Sequence, residues 1–182
     1  MENQRIRLSK TMLKNALIEL LQQKGIEKIS IYELCNKAQI NRTTFYKYYS
    51  DQYDLLTDIE NDCFASIEEH LTAHQGGNGT VILKNVLEYL ESERTKFRVL
   101  LTVVDKDFPE KLFSLPSVVN LIDLSMADIY CEKQKEYLRL FVCQGGFAVI
   151  RKWLDDDNRD SAEETATLIS SIMAKVFSLN ET

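Results

Sequence analysis

Glycine and proline are scarce in this 182-residue chain, six and two respectively, too few to punctuate the many short strands and turns of an all-β domain. Leu, Ile, Glu, Lys and Gln fill long stretches instead, and an all-α chain is the economical reading. The four cysteines, Cys35, Cys63, Cys131 and Cys143, form no CxxC pair. That spacing excludes zinc-knuckle and thioredoxin-type motifs and leaves reduced, mostly buried thiols. Near the start, "LSKTMLKNALIELLQQKG" is broken by Lys14, Asn15 and Glu19, so neither a signal peptide nor a spanning helix is expected. A cytoplasmic protein without a membrane partner follows. No paired Ser-His-Asp, Gly-rich phosphate loop or metal set is visible, so no enzyme activity and no cofactor are expected.

The chain carries 22 Lys and Arg against 28 Asp and Glu, a net charge of −6. That charge is unevenly spread. Residues 1–50 hold nine basic and four acidic side chains, a local +5, which leaves −11 for residues 51–182. A small basic module beside an acidic one points to a polyanionic partner for the first. The expected division falls at residue 50, between a basic segment and an acidic one.

Apolar spacing through Leu8, Met12, Ala16, Leu17, Leu20 and Leu21 predicts a helix over about 9–24, with Gly25 as its C-terminal stop. Ser30 and Glu33 form a capping box that opens a short helix through Lys37. "AQIN" is then a tight turn, and Asn41 caps a third helix through about Tyr48. Three short helices with this turn make a helix-turn-helix arrangement. Ser50 or Asp51 starts a long helix to His74, which "GGNG" at 76–79 interrupts. Residues 81–91 are amphipathic through Ile82, Val86, Leu87 and Leu90. "VLLTVV" at 99–104 reads as a buried helix through Phe97, Leu100, Leu101 and Val104. Asp107 with Pro109, and later Pro116, open two further helices, the second to about Ala127. A long helix follows over 132–154. Ser161 and Glu164 box the last one, with its stripe of Leu168, Ile169, Ile172, Val176 and Leu179.

The stretch "SIYELCNKAQINRTTFYKYYSDQYDLL" resembles the DNA-binding domain of TetR/AcrR-type transcriptional regulators, and "FVCQGGFAVIRKWLDDD" is similar to the penultimate helix in the branch containing the activator of dihydroxyacetone kinase genes. The resemblance implies an N-terminal three-helix helix-turn-helix DNA-binding domain over 1–50, followed by a helical regulatory domain for ligand binding and dimerisation over 51–182. It also implies a transcriptional regulator, expected to be an effector-responsive repressor that binds a palindromic double-stranded DNA operator as a homodimer. The alternative is an activator or coactivator-dependent regulator whose C-terminal domain binds a protein partner. Two positions depart from the family pattern. Gln39 stands where glycine is common and is expected to take positive φ, and Gln52 replaces a lysine that commonly touches a phosphate.

Arg42 has the side chain able to contact guanine O6 and N7 together, so Arg42 and Thr43 are assigned to base readout. Thr44, Tyr46, Lys47 and Tyr48 would supply donors to phosphate oxygens, with Ser30 and Tyr32 facing them. Phe45 and Tyr49 read as core. Arg5, Arg7 and Lys10 are either an arm along the DNA or a frayed terminus. His70 and His74 have a spacing that can hold a metal, but no third ligand stands near, so they read as partly buried polar groups. "DDDNRDSAEE" lacks calcium-loop spacing and reads as a solvated connection. Gly145 and Gly146 fall mid-helix, where glycine costs about 1 kcal/mol, and a close helix crossing is the expected compensation. The family's paired C-terminal helices imply a dimer interface of Phe141, Gly145, Val149, Ile169, Ile172 and Val176, and its regulatory domain implies a ligand pocket. Tyr89, Phe97, Phe113 and Tyr137 are the aromatic candidates for its lining.

Overall fold

The computed structural model describes residues 4–73, 78–103, 108–120 and 131–177. All the regular structure among them is helical. The order is α1 (Gln4–Leu21), a 3-10 turn (Ile26–Lys28), α2 (Ile31–Ala38), α3 (Arg42–Phe45), α4 (Gln52–Thr72), α5 (Gly79–Ser92), α6 (Arg94–Val103), α7 (Phe108–Phe113), α8 (Glu132–Asp155) and α9 (Ala162–Phe177). Residues 116–120 are helical as well. Two compact units result, Met1–Cys63 and Phe64–Thr182, and the boundary falls inside α4.

In the N-terminal unit α1 packs on α2, and Leu13, Leu17, Leu34, Phe45 and Leu55 are fully buried. These side chains recur at helical spacing, which is why the amphipathic pattern was readable. The first helix starts earlier and stops earlier than the pattern indicated. Residues 4–8 are helical, so Arg5, Arg7 and Lys10 stand on α1. Its last turn tightens where the Leu20 carbonyl accepts from both Gln23 N–H (3.0 Å) and Lys24 N–H (3.2 Å). Gly25 is therefore no left-handed stop; it is extended, with φ −63° and ψ 155°, and precedes the 3-10 turn.

The C-terminal unit packs α5 against α9 and α6 against α8. Ile82, Val86, Leu87 and Leu90 all face its core, and Phe97 and Leu100 confirm "VLLTVV" as helix through Val103. Asn78 opens α5 by accepting from Thr80 N–H at 3.0 Å. Pro109 falls in the first turn of α7, as expected. The box at α9 is complete: Ser161 Oγ accepts from Glu164 N–H (3.2 Å), and Glu164 Oε2 accepts from Ser161 N–H (2.9 Å). His74, Gly76, Gly77, Val104, Asp107, Leu179 and residues 121–127 lie outside the described residues.

One connection adds to its sequence reading. The loop after α8 is mostly exposed, in line with that reading, and it is also pinned. Arg94 Nε donates to the Leu154 carbonyl (2.8 Å), and its Nη2 donates to the Asp156 carbonyl (3.0 Å) and to Asp157 Oδ1 (2.8 Å). A guanidinium thus satisfies carbonyls that the end of α8 leaves open. Arg159 binds Glu91 (2.5 Å) and lies 5.5 Å from the Trp153 ring centroid, while Trp153 Nε1 donates to the Asp160 carbonyl (2.7 Å).

Candidate nucleic-acid interface

Local chemistry sets the turn between α2 and α3. Ser30 Oγ accepts from Glu33 N–H (3.2 Å), but the Glu33 carboxylate pairs with Lys24 (2.6 Å), so only half of the expected box forms. Gln39 ends α2 at φ 55° and ψ 35°, a left-handed conformation that costs a non-glycine residue about 1–2 kcal/mol. Asn41 Oδ1 then accepts from Thr43 N–H (2.9 Å) and from the Thr43 hydroxyl (2.8 Å). Because that hydroxyl already donates to the cap, Thr43 offers an outside partner its oxygen lone pair and its methyl group.

The third helix is shorter than expected. Arg42–Phe45 is α-helical, and the chain continues to Tyr48 in tighter turns, with Lys47 N–H donating to the Thr44 carbonyl (3.3 Å) and Tyr48 N–H to the Phe45 carbonyl (2.9 Å). Even so, the row of side chains is displayed together. Arg42, Thr43, Tyr46 and Lys47 are exposed, Thr44 and Tyr48 half-buried, and Ser30 and Tyr32 are exposed on α2 and its cap. The Arg42 guanidinium carbon sits 5.9 Å from the Tyr46 ring centroid. Its hydrogen bond to Tyr46 is the largest cause of a pKa raised above the usual arginine value. Beneath this surface Phe45 is fully buried, with its ring 5.4 Å from Tyr46 and 5.8 Å from Tyr49.

A polar network that no sequence motif marked ties this platform to α4. The Tyr49 hydroxyl donates to Asp58 Oδ2 (2.7 Å), and Lys14 Nζ lies 2.8 Å from Asp58 Oδ2 and 2.6 Å from Asp62 Oδ2. The available signal was two carboxylates four apart on α4 and a lysine set among the apolar positions of α1. Burial acts to raise the Asp58 pKa, yet its bonds from Lys14 and Tyr49 outweigh it and hold it below the carboxylate range. Burial likewise acts to lower Lys14, and its two carboxylates leave it raised. Burial pushes Tyr49 up, and its bond to Asp58 adds to that.

Asp58 therefore contributes stability that is full above about pH 4 and fades as pH falls through its depressed folded value. The contributions of Lys14 and Tyr49 are full below about pH 10 and fade as pH rises. Asp58→Asn should destabilise the N-terminal unit by about 1–2 kcal/mol at neutral pH, since the carboxylate is a third exposed. Melting curves taken across acid pH should show a flatter fall for the variant, and parallel curves would refute the assignment.

A family model described as "Bacterial regulatory proteins, tetR family" matches residues 14–59, and one described as "Transcriptional regulator C-terminal region" matches residues 79–175. The chain belongs to the TetR family of transcriptional regulators. It is 27% identical over 148 residues to the dhaKLM operon transcriptional activator DhaS of Lactococcus lactis, covering 79% of this chain and 75% of that protein. It is 24% identical over 180 residues to the HTH-type transcriptional regulator YxbF of Bacillus subtilis, covering 92% of this chain but 45% of that one. Among solved structures, a TetR transcriptional regulator from Streptococcus agalactiae superposes with a TM-score of 0.72 at 20% identity, over 93% of this chain and 95% of that one. No helix among the described residues is long and apolar enough to cross a membrane.

Two further features of this TetR-family regulator lie in its C-terminal unit. Exposed apolar side chains cluster on the last two helices: Tyr137, Leu140 and Phe141 on α8, and Leu168 and Ile172 on α9. Of the residues expected at a dimer interface, Phe141, Gly145 and Ile172 are exposed and Val149 and Val176 half-buried. Ile169 is different: it is buried, 6% exposed, on the wall of a half-open cavity. That cavity of about 370 Å³ takes Ile67 and Leu71 from α4 and Phe113 from α7, with α5, α8 and α9 lining the rest of its described wall. Of the four candidate pocket aromatics, Phe113 alone lines it. Tyr89 stacks on His70 at 4.5 Å, Phe97 is core at 1% exposure, and Tyr137 is exposed. His70 Nδ1 lies 2.7 Å from the Ser66 carbonyl, which gives this histidine a structural role. Cys143 is buried beside the same helices, and burial pushes its thiol up to about 11.

Proposed function

We propose that the chain is a homodimeric repressor of a palindromic operator, acting in the cytoplasm and released by a small-molecule effector bound in its C-terminal unit. The observation that carries this is the exposed row Arg42, Thr43, Tyr46 and Lys47, held over a buried Phe45 and Tyr49 within residues 1–50, the segment with a net charge of +5. Arg42 and Thr43 read base edges; Thr44, Tyr46, Lys47 and Tyr48, with Ser30 and Tyr32 opposite, hold phosphates. Two-fold symmetry places two such helices about 34 Å apart, one turn of B-DNA. The exposed apolar face of α8 and α9 is the surface that a second copy would cover. Residues 52–63 of α4 belong to the N-terminal unit, while Ile67 and Leu71 of the same helix face the cavity. Occupancy of the cavity then shifts the population of α4 positions and with it the operator affinity.

Selection of bound sequences from random DNA, followed by gel shifts, tests the DNA reading. Arg42→Ala should lose about 1–3 kcal/mol on the selected site and relax preference at one base pair per half-site. Lys47→Ala should weaken selected and scrambled DNA alike and flatten the salt dependence. Identical behaviour of the two variants would refute the division of roles.

A second reading has the Lactococcus lactis relative behind it, which is described as an activator. In that version the fold and operator contacts are unchanged and the C-terminal unit binds a protein partner. Loss of promoter activity in a deletion strain, with a second protein co-purifying, would favour it; a rise in promoter activity favours repression.

A further inference from the structure

Two adjacent glycines occupy the middle of α8, where each costs about 1 kcal/mol relative to alanine. A Cβ built on either would meet no heavy atom within 4 Å, so no close helix crossing among the described residues explains them. Their surroundings separate them. Gly145 is exposed, one turn from Phe141 on the outer face of the helix. Gly146 lies on the cavity wall, with Val142 and Ile150 one turn to either side of it on the same wall. The missing side chain at 146 enlarges the cavity, and nothing among the described residues uses the space.

The rest of the wall sets the chemistry of an occupant. Among the described residues most of the lining is aliphatic or aromatic, the polar side chains are Asn78, Thr80 and Ser170, and no charged residue contributes. A charged ligand would lose part of its hydration here without gaining a counter-ion from the described wall, a penalty that an uncharged one avoids. The volume is at the small end of the usual range for ligand pockets, about 300–1,000 Å³.

We propose that Gly146 is the size-determining position of this cavity, and that its ligand is a small, uncharged, mainly apolar molecule seated against the bare α-carbon of Gly146. This rests on the reading of the C-terminal unit as an effector domain and adds the ligand's class and the residue that admits it.

Two probes that share a ring system and differ by one charge test it on the full chain: neutral N-phenyl-1-naphthylamine and anionic 1-anilinonaphthalene-8-sulfonate, each titrated by fluorescence. The neutral probe should bind saturably, one per chain, and the sulfonate at least about tenfold more weakly. Gly146→Leu should weaken the neutral probe at least about tenfold, and Gly146→Ala a few-fold, both with Tm equal to or above that of the parent because the added atoms meet open space. Should Gly146→Leu fail to fold, Gly146→Ala decides. Equal binding of the two probes, neutral binding untouched in folded Gly146 variants, or no neutral binding at all would overturn the proposal. The gel shift separates this from the wider reading. Probe binding that leaves DNA affinity unchanged supports the cavity assignment and retires effector control, while normal DNA binding without any probe binding overturns the cavity assignment alone.

Discussion

Phe45→Ala should abolish operator binding by unfolding the surface that presents it. The ring is fully buried and touches Tyr46 and Tyr49, and removing a buried phenylalanine side chain costs about 3–5 kcal/mol. The stability of a whole domain is about 5–15 kcal/mol, so this single change takes a large share of it. α3 is only four residues long and has no intrinsic stability of its own; helices this short depend on tertiary packing. The expected result is a lower first melting transition and loss of both specific and non-specific DNA binding. Phe45→Leu keeps most of the volume and should cost less than about 1.5 kcal/mol, with binding largely retained. A Phe45→Ala protein that melted like the parent would show that α3 is held by something else.

The second large effect is expected on the outer face of α8 and α9. Phe141 and Ile172 are 64% and 47% exposed, so Phe141→Glu combined with Ile172→Glu removes little from the fold of one chain. In an isologous interface each change occurs twice and buries like charges without partners. Sedimentation should report a monomer. Operator affinity should fall about a hundredfold or more, because a single helix-turn-helix loses the effective concentration supplied by its twin. Binding to an isolated half-site should be nearly unchanged. A variant that remained dimeric would place the interface elsewhere.

What could be read from the sequence was what neighbours along the chain decide. Asn41, Asn78 and Ser161 cap the helices they precede through bonds spanning two or three residues, and Gln39 takes the left-handed conformation that its place in the turn demands. The box at Ser30 failed by half because Lys24, nine residues from Glu33, captures the carboxylate. Gly25 misled for a similar reason: the helix closes on the Leu20 carbonyl before reaching it. The anchored corner after α8 was unreadable, since its ligand Arg94 stands some sixty residues earlier. A cavity is harder still, because a void is defined by where side chains from six helical segments fail to meet. Aromatic residues suggested its lining, and three of the four went to other tasks. The paired glycines were visible as an anomaly, but only the packing shows that they face different surroundings.

The pinned corner also bears on the order in which the chain acquires its structure. Bonds that close the C-terminal unit span long stretches, 60 to 63 residues for Arg94, 68 for Arg159 with Glu91 and 79 for Lys84 with Glu163. Those of the N-terminal unit span nine residues, as in Tyr49 with Asp58, to 48, as in Lys14 with Asp62. Contacts between distant residues slow folding, since loop closure must precede any reward. On a ribosome, Met1–Cys63 is complete long before Asp157 is synthesised. The nascent chain thus displays its DNA-binding surface while the corner that closes the other unit has yet to be made.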